Sequence, residues 1–507
     1  MLRDKIDNWK IALARTDWLP WAIIALAAFL RLLLLGIKPP HFDEGINGWF
    51  VDQVVKNGYY SYDPTNYHGP LHFYVLLVSE WLFGRNLWAL RLPVVLVSII
   101  CVWLTLKSEP FVGRNTSRLA ALAMAISPGC VFYGRYSIHE VWLVLFSMLF
   151  ILGLLGLWNR GTANYLWCAG MGLAGMILTK ETYVIHVGCA VLAVPALMIS
   201  NKLGRFPKTQ MARQTWDAVD LAMVVLTAGA VIVFFYSGTF FHWSGVKGLY
   251  QAYAAWFATG HEGHGHEKPW YYWLVKLILR YEWPVAIGLL LCLGYFRIQN
   301  ANLRYLAIYA IGTVAAYSIV RYKTPWCIIS FIWPFFFLFG AGPAIAPLRL
   351  QLATYIISAV ALCHSLGYAV WLNYFRCTTD TEPYVYVQTY NDIFKFTKPL
   401  FALVKRSPLA YQLTGHIIRT SSYPLPWMLG DFAHVGYYEK DNLPDKVDAA
   451  FLLVQDDRIP EIEAKLHEKY FTDTIRIRAF QESSKVYFNT RFFKDVFRAR
   501  QPDFVGK

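Results

Sequence analysis

The stretch HFDEGINGWF, His41 to Phe50, places two adjacent carboxylates, Asp43 and Glu44, directly behind an apolar run from Trp18 to Ile37 that closes on Lys38, Pro39 and Pro40. YHGPLHFYV, Tyr67 to Val75, follows shortly after. A run of about 20 apolar residues is long enough to cross a bilayer. The paired acid therefore marks the point where the chain first leaves the membrane, and the pattern is that of a membrane protein.

The rest of the chain agrees. Of 507 residues, 56% are hydrophobic and only 16% charged, with a mean hydropathy of +0.35, which is too apolar for an ordinary soluble protein. The net charge of +14 does not indicate nucleic acid, because the lysines and arginines sit in short loops between apolar runs, where cytoplasmic loops are normally basic. The eight cysteines form no CxxC pair, and Cys377 alone lies clearly in a soluble region. Neither a disulfide framework nor a zinc cluster is expected. The basic N-terminus has no cleavage pattern behind its apolar run and reads as leading into an uncleaved first span.

Apolar runs fall at 19–37, 88–106, 118–134, 140–158, 164–179, 182–199, 219–237, 271–296, 303–320, 326–346 and 351–373, predicting about eleven spans in a polytopic helical protein. Lys276, Arg280, Glu282 and Pro284 interrupt 271–296, whose first half has the pattern of a surface helix. The segment 71–83 is too short to span and reads as interfacial. Alternating the loops between two sides collects Lys202, Arg205, Lys208 and Arg213 with the other basic loops. This predicts an inner-membrane protein with a cytoplasmic N-terminus. The loops left on the outer side are HFDEGINGW, YGRYSIHE (133–140), LTKE (178–181), the stretch from YSGTFFHWSG to HEGHGHEKPWYY, and RYKTPW (321–326).

After Trp371 the composition turns soluble, dividing the chain into a membrane module, 1–373, and an extracytoplasmic domain, 374–507. Apolar stretches at 384–389, 448–456, 473–480 and 485–490 read as strands, and NDIFKFTKPLFALVKRS and IPEIEAKLHEKY as helices. The expectation is a small α/β domain. It holds no glycine-rich phosphate loop.

The outer loops carry the candidate chemistry. Neighbouring residues on a helix diverge by about 100°, so Asp43 and Glu44 cannot serve one centre; one can act while the other caps or orients. Asp43 as a plain N-cap is the structural alternative. Arg135 and Glu140 in YGRYSIHE, Lys180 in LTKE, and Arg321, Tyr322 and Lys323 in RYKTPW each admit an ordinary interfacial role. His261, His264 and His266 have a spacing that can bind a metal, though His-rich surface loops commonly do not. Together these residues supply a carboxylate base, a second acid and several cations for a phosphate leaving group at one interface.

On these residues the chain resembles the GT-C superfamily of glycosyltransferases, which contains protein O-mannosyltransferases and the lipid A aminoarabinose transferase. The carrying features are the acidic pair, a Tyr-x-Arg-x-x-x-x-acid segment after Ser127 and Pro128, and the Thr179-Lys180-Glu181 turn. HFDEGINGWFVDQVVKNGYYSYDPTNYHGP, TKET, YKTPW, EPYVYVQT and YPLPWML are similar to a prokaryotic branch known as flippase-activity-associated proteins. The resemblance implies transfer of a sugar, with inversion, from a polyprenyl-phosphate carrier to a glycan, lipid or protein acceptor at the outer face. It implies that Asp43 acts as general base or positions the acceptor, with Glu44 beside it and Glu140 as a further acid. Arg135, Lys180, Arg321 and Lys323 would contact phosphate, with Tyr322 and His68 in support. No nucleotide site is needed, and a divalent ion, with Glu140 or the three loop histidines as weak ligands, is left open. The competing expectation is a flippase or export component for lipid-linked glycans, which would carry ionisable residues near the bilayer midplane and repeated halves.

Overall fold

The computed structural model describes residues 17–506 except 207–209, 263–264, 295–297, 440–441 and 499. Apolar helices dominate up to Phe375: α1 (Leu19–Leu32), α2 (Phe42–Asn57), α3 (Leu71–Phe83), α4 (Leu87–Lys107), α5 (Arg114–Ile126), α6 (Glu140–Asn159), α7 (Ala163–Ile177), α8 (Tyr183–Leu203), α9 (Ala218–Tyr236), α10 (Ser244–Glu262), α11 (Trp283–Leu293), α12 (Ala301–Ile319), α13 (Ile328–Ile345) and α14 (Gln351–Val370). Among the described residues, six helical stretches are long and apolar enough to cross a membrane by length and composition. The protein is a multi-pass helical membrane protein. Each apolar run read from the sequence is helical, but two are broken.

The run 118–134 stops at Ile126, and a short helix, Pro128–Tyr133, restarts behind Ser127, whose hydroxyl caps it by accepting from the Cys130 amide. Proline cannot continue a helix and suits the first turn of the next one. The run 271–296 becomes a widened helical turn, Trp273–Ile278, and a separate α11 behind Glu282. The Glu282 carboxylate accepts from Ser127 Oγ at 2.8 Å, Gly129 N at 2.7 Å and Tyr384 Oη at 3.0 Å. Both breaks are tied together by one buried acid.

The best buried span is α13, whose phenylalanines and Trp333 fill the core against α5, α11 and α12. By contrast α9 leaves most of its surface open, as a lipid-facing helix does.

Beyond Phe375 the chain builds helix α15 (Ile393–Arg406) and a mixed sheet with strands β1 (Thr414–Ile418), β2 (His434–Tyr438), β3 (Phe451–Gln455), β4 (Lys469–Ile475), β5 (Ser484–Asn489) and β6 (Phe504–Val505). Their order is β2-β1-β3-β5-β4-β6. β1 is parallel to both β2 and β3, whereas β5 is antiparallel to β3 and β4. The α/β expectation holds in kind. The segment 384–389 is not a strand: its backbone turns, with the Val385 amide donating to the Glu382 carbonyl, the Tyr386 amide to the Tyr384 carbonyl and Val387 at positive φ, while the Tyr384 hydroxyl reaches Glu282 and Gln388 Nε2 the Pro39 carbonyl at 3.1 Å. β1 and β2 fall where no strand is expected from the sequence, β4 begins earlier than 473, and IPEIEAKLHEKY is helical only over Ile459–Glu463 before feeding β4.

Candidate active site

The first turn of α2 resolves the paired acids. His41 is the N-cap: its Nδ1 accepts from the Asp43 amide at 3.0 Å, while the Glu44 carboxylate accepts from the His41 amide at 2.9 Å, closing a capping box. Glu44 then points inward, fully buried, and takes Arg91 Nε at 2.8 Å and Nη2 at 2.7 Å together with the Ser137 amide at 3.0 Å. Burial opposes its ionisation, but Arg91 outweighs that and holds its carboxyl below the usual value. Asp43, one residue earlier and turned away, has 28% of its side chain exposed and lines a cavity of about 610 Å³. The capping work thus falls to His41 and Glu44.

That cavity is assembled from helix ends. Asp43 and Asn47 come from α2, His68 from the loop before α3, His139 and Glu140 from the start of α6, Lys180 and Glu181 from the turn between α7 and α8, Arg321, Tyr322 and Trp326 from the segment after α12, and His261 from α10. Trp256, Phe257, Ile185 and Trp273 make the walls apolar. Lys180 Nζ is paired with Glu140 Oε1. Burial works against the Lys180 ammonium, but the carboxylates of Glu140 and Glu181 outweigh it and hold its pKa well above the ordinary lysine value. His68 Nδ1 lies 2.9 Å from Glu181 Oε2. The Asp43 carboxyl is pushed up to about 6, first by burial and then by Glu140; His68, Arg478 and Lys180 pull the other way. The result is a carboxylate poised near neutral pH beside a lysine held charged, the pairing that general-base chemistry with an anionic leaving group requires.

Asp43, Glu140, Lys180, Arg321, Tyr322, His68 and His261 therefore meet at one cavity. Four other candidates are engaged elsewhere. Glu44 holds Arg91. Arg135 donates to the Leu30 carbonyl at 3.0 Å and the Leu34 carbonyl at 2.8 Å and lies on Tyr374, closing the end of α1. Lys323 Nζ donates to the Lys268 carbonyl at 3.3 Å and to that of Val320, and burial lowers its pKa to about 8. His266 Nδ1 meets Tyr386 Oη at 2.6 Å; His264 lies outside the described residues. Among the described residues no group of three or more His, Cys, Asp or Glu side chains could hold a metal ion.

Sequence reasoning missed Asn47, His139 and Glu181 as cavity residues. Asn47 Nδ2 donates to the Ser137 carbonyl at 2.8 Å, and the His139 ring packs between those of His68 and His72, at 4.8 and 4.5 Å. The i, i+4 spacing of Asp43 and Asn47 on one helix face was the one available signal. A larger cavity, about 840 Å³, opens at the opposite ends of α6, α8 and α12 beside Lys202, Arg205 and Tyr305. Among the described residues no acid lines it.

Residues 67–243 match the sequence profile of the dolichyl-phosphate-mannose-protein mannosyltransferase family. The chain is similar in structure to ArnT from Cupriavidus metallidurans bound to undecaprenyl phosphate, with a TM-score of 0.56 and 15% identity over 92% of this chain and 97% of that one. The apo state of the same protein gives 0.55 and 14% over 96% and 98%. The fold is ArnT-like. No curated protein sequence matches the chain.

Proposed function

We propose that this chain, a membrane glycosyltransferase of the GT-C type, moves a sugar from a polyprenyl-phosphate carrier to an acceptor, with Asp43 as base. The carrying observation is the meeting of Asp43, Glu140, Lys180 and Arg321 at one cavity with an apolar wall. The acceptor nucleophile gives its proton to Asp43 and attacks the anomeric carbon on the face opposite the phosphate. The glycosidic bond to phosphate breaks through an oxocarbenium-like state, and the configuration inverts. Lys180 and Arg321 stabilise the charge gathering on the leaving phosphate, and Glu140 holds Lys180 in place. The carrier brings its own leaving group, so the reaction needs no nucleotide site. The ArnT relative holds undecaprenyl phosphate, the class of carrier assigned here.

The test is a pair of affinities for each variant, one for a prenyl phosphate and one for the corresponding prenol. Lys180→Gln and Arg321→Gln should weaken prenyl-phosphate binding by about 1.5 to 3 kcal/mol, the value of a charge-assisted hydrogen bond, and spare the prenol. Equal small losses for both ligands would remove the phosphate assignment. Binding without any turnover by the wild type, in the presence of lipid-linked sugar, would favour a flippase instead.

A further inference from the structure

Arg419 and Arg478 lie at the same end of the C-terminal sheet. Arg419 directly follows β1, and β1 is the switch point of the sheet: the chain leaves it for β2 on one side and returns to β3 on the other. Ligands of open α/β sheets bind outside the carboxyl ends of the strands at such a point. Arg478 follows β4, whose end lies beside Ser484 of β5. The Arg419 guanidinium reaches Ser484 Oγ at 3.4 Å and Gln481 Oε1 at 3.0 Å, and Arg478 Nη2 reaches Ser421 Oγ at 3.1 Å.

Both arginines are buried, at 2% and 9% exposure, yet among the described residues neither forms an ion pair with a carboxylate. Arg419 Nε, Arg478 Nη1 and Ser422 Oγ are buried with no hydrogen-bond partner. Two like charges taken out of water together, with donors left over, are costly unless an opposite charge joins them. Among the described residues, Asp43 is the acid that acts on Arg478 through space. Arg478 in fact lies on the ring of Phe42, 3.8 Å from its centroid and one residue before Asp43. The segment leading from Arg419 packs on α2, where a side chain at Gly45 would collide with the Pro424 backbone at 2.5 Å.

We infer that Arg419, Arg478 and Ser422 form an oxyanion site that anchors an anionic group, phosphate or carboxylate, of the acceptor, so that its nucleophile is presented to Asp43. This deepens the transferase reading and rests on it only for the word acceptor; the anion site stands on its own geometry. Guanidinium forks match the planar or tetrahedral oxygens of such groups, and Arg419, Arg478 and Ser422 are not among the residues that line the cavity with Lys180.

The probe is inorganic phosphate, titrated against the full-length protein in detergent at constant ionic strength, with Tm as the readout. Generic salt effects are common to all variants, so the difference between them reports the site. The wild type should show a saturable rise. Arg419→Gln and Arg478→Gln should each weaken the apparent phosphate affinity about tenfold or more, while Lys180→Gln keeps the response. An unchanged response in both arginine variants, or its loss in Lys180→Gln alone, would overturn the inference and assign the phosphate to the carrier site. No saturable response in the wild type would also overturn it, since water alone would then fill the donors. Repeating the titration with acetate separates carboxylate from phosphate recognition. If the protein proves unable to transfer sugar while the arginine-dependent response persists, the transferase reading falls and the anion site stands.

Discussion

Two neighbouring acids have opposite duties at the residue scale. Glu44 is locked to Arg91 with both side chains fully buried, so Glu44→Ala leaves a buried guanidinium unpaired and should cost about 3 to 5 kcal/mol of stability. A thermal or denaturant transition reads this directly. Asp43 makes no such pair. Asp43→Asn should abolish transfer while leaving the transition unchanged or slightly raised, because it removes a carboxylate whose ionisation burial already disfavours. A folded Asp43→Asn protein with full turnover would end its assignment as base. A base works deprotonated, so kcat/KM should rise with pH through about 6, the value to which the Asp43 carboxyl is pushed, and should be lost below it. A profile flat from pH 5 to 8 would contradict the role. For stability the sign is reversed. The folded state favours the protonated form, so the contribution of Asp43 is present below the unfolded carboxyl value of about 4 and declines as pH rises through 6.

At the scale of elements, α2 touches both the cavity and the C-terminal segment. One face carries Asp43 into the cavity, and the other receives the segment after β1 at Gly45 and Gly48, where Cβ atoms would meet Pro424 at 2.5 Å and Trp427 at 2.4 Å. The Pro424 contact is with backbone and cannot be relieved by a rotamer change. Gly45→Ala should therefore cost about 1 to 3 kcal/mol and loosen the C-terminal domain on α2. Limited proteolysis between Phe375 and Ile393 should quicken and transfer should fall. Unchanged proteolysis with unchanged turnover would mean that the contact has no bearing on the site.

Over the whole molecule, the cavity gathers the start of α6, the turn between α7 and α8 and the segment after α12, which is the arrangement expected if the helices alternate in direction and share one outer face. Reporter fusions after Asn373 and within 202–213 should then report opposite sides, the first extracytoplasmic and the second cytoplasmic. Both on one side would scatter the proposed site across the bilayer and remove the topology.

Much of this was legible in the chain alone, for physical reasons. Helices that cross a bilayer must satisfy their own backbone, so apolar length is nearly sufficient to find them. Ionisable residues that the positive-inside rule leaves over have to be accounted for, which is how Asp43, Glu140, Lys180 and Arg321 came to attention. The alternatives at the acidic pair, cap or catalyst, could not be separated there, because the deciding partner of Glu44 is Arg91, 47 residues away. Arg135 and Lys323 have the composition of phosphate ligands and differ from Lys180 in their partners: backbone carbonyls take their donors, whereas Lys180 pairs with Glu140 at the cavity wall. The strand expected at 384–389 failed because the backbone turns there, with Val387 at positive φ, as its side chains reach Glu282 and the Pro39 carbonyl in the membrane module. Apolar periodicity and the location of charge are local properties, written residue by residue. Which charged group is neutralised by a distant partner and which is left facing an open cavity is a property of packing, and only the tertiary structure decides it.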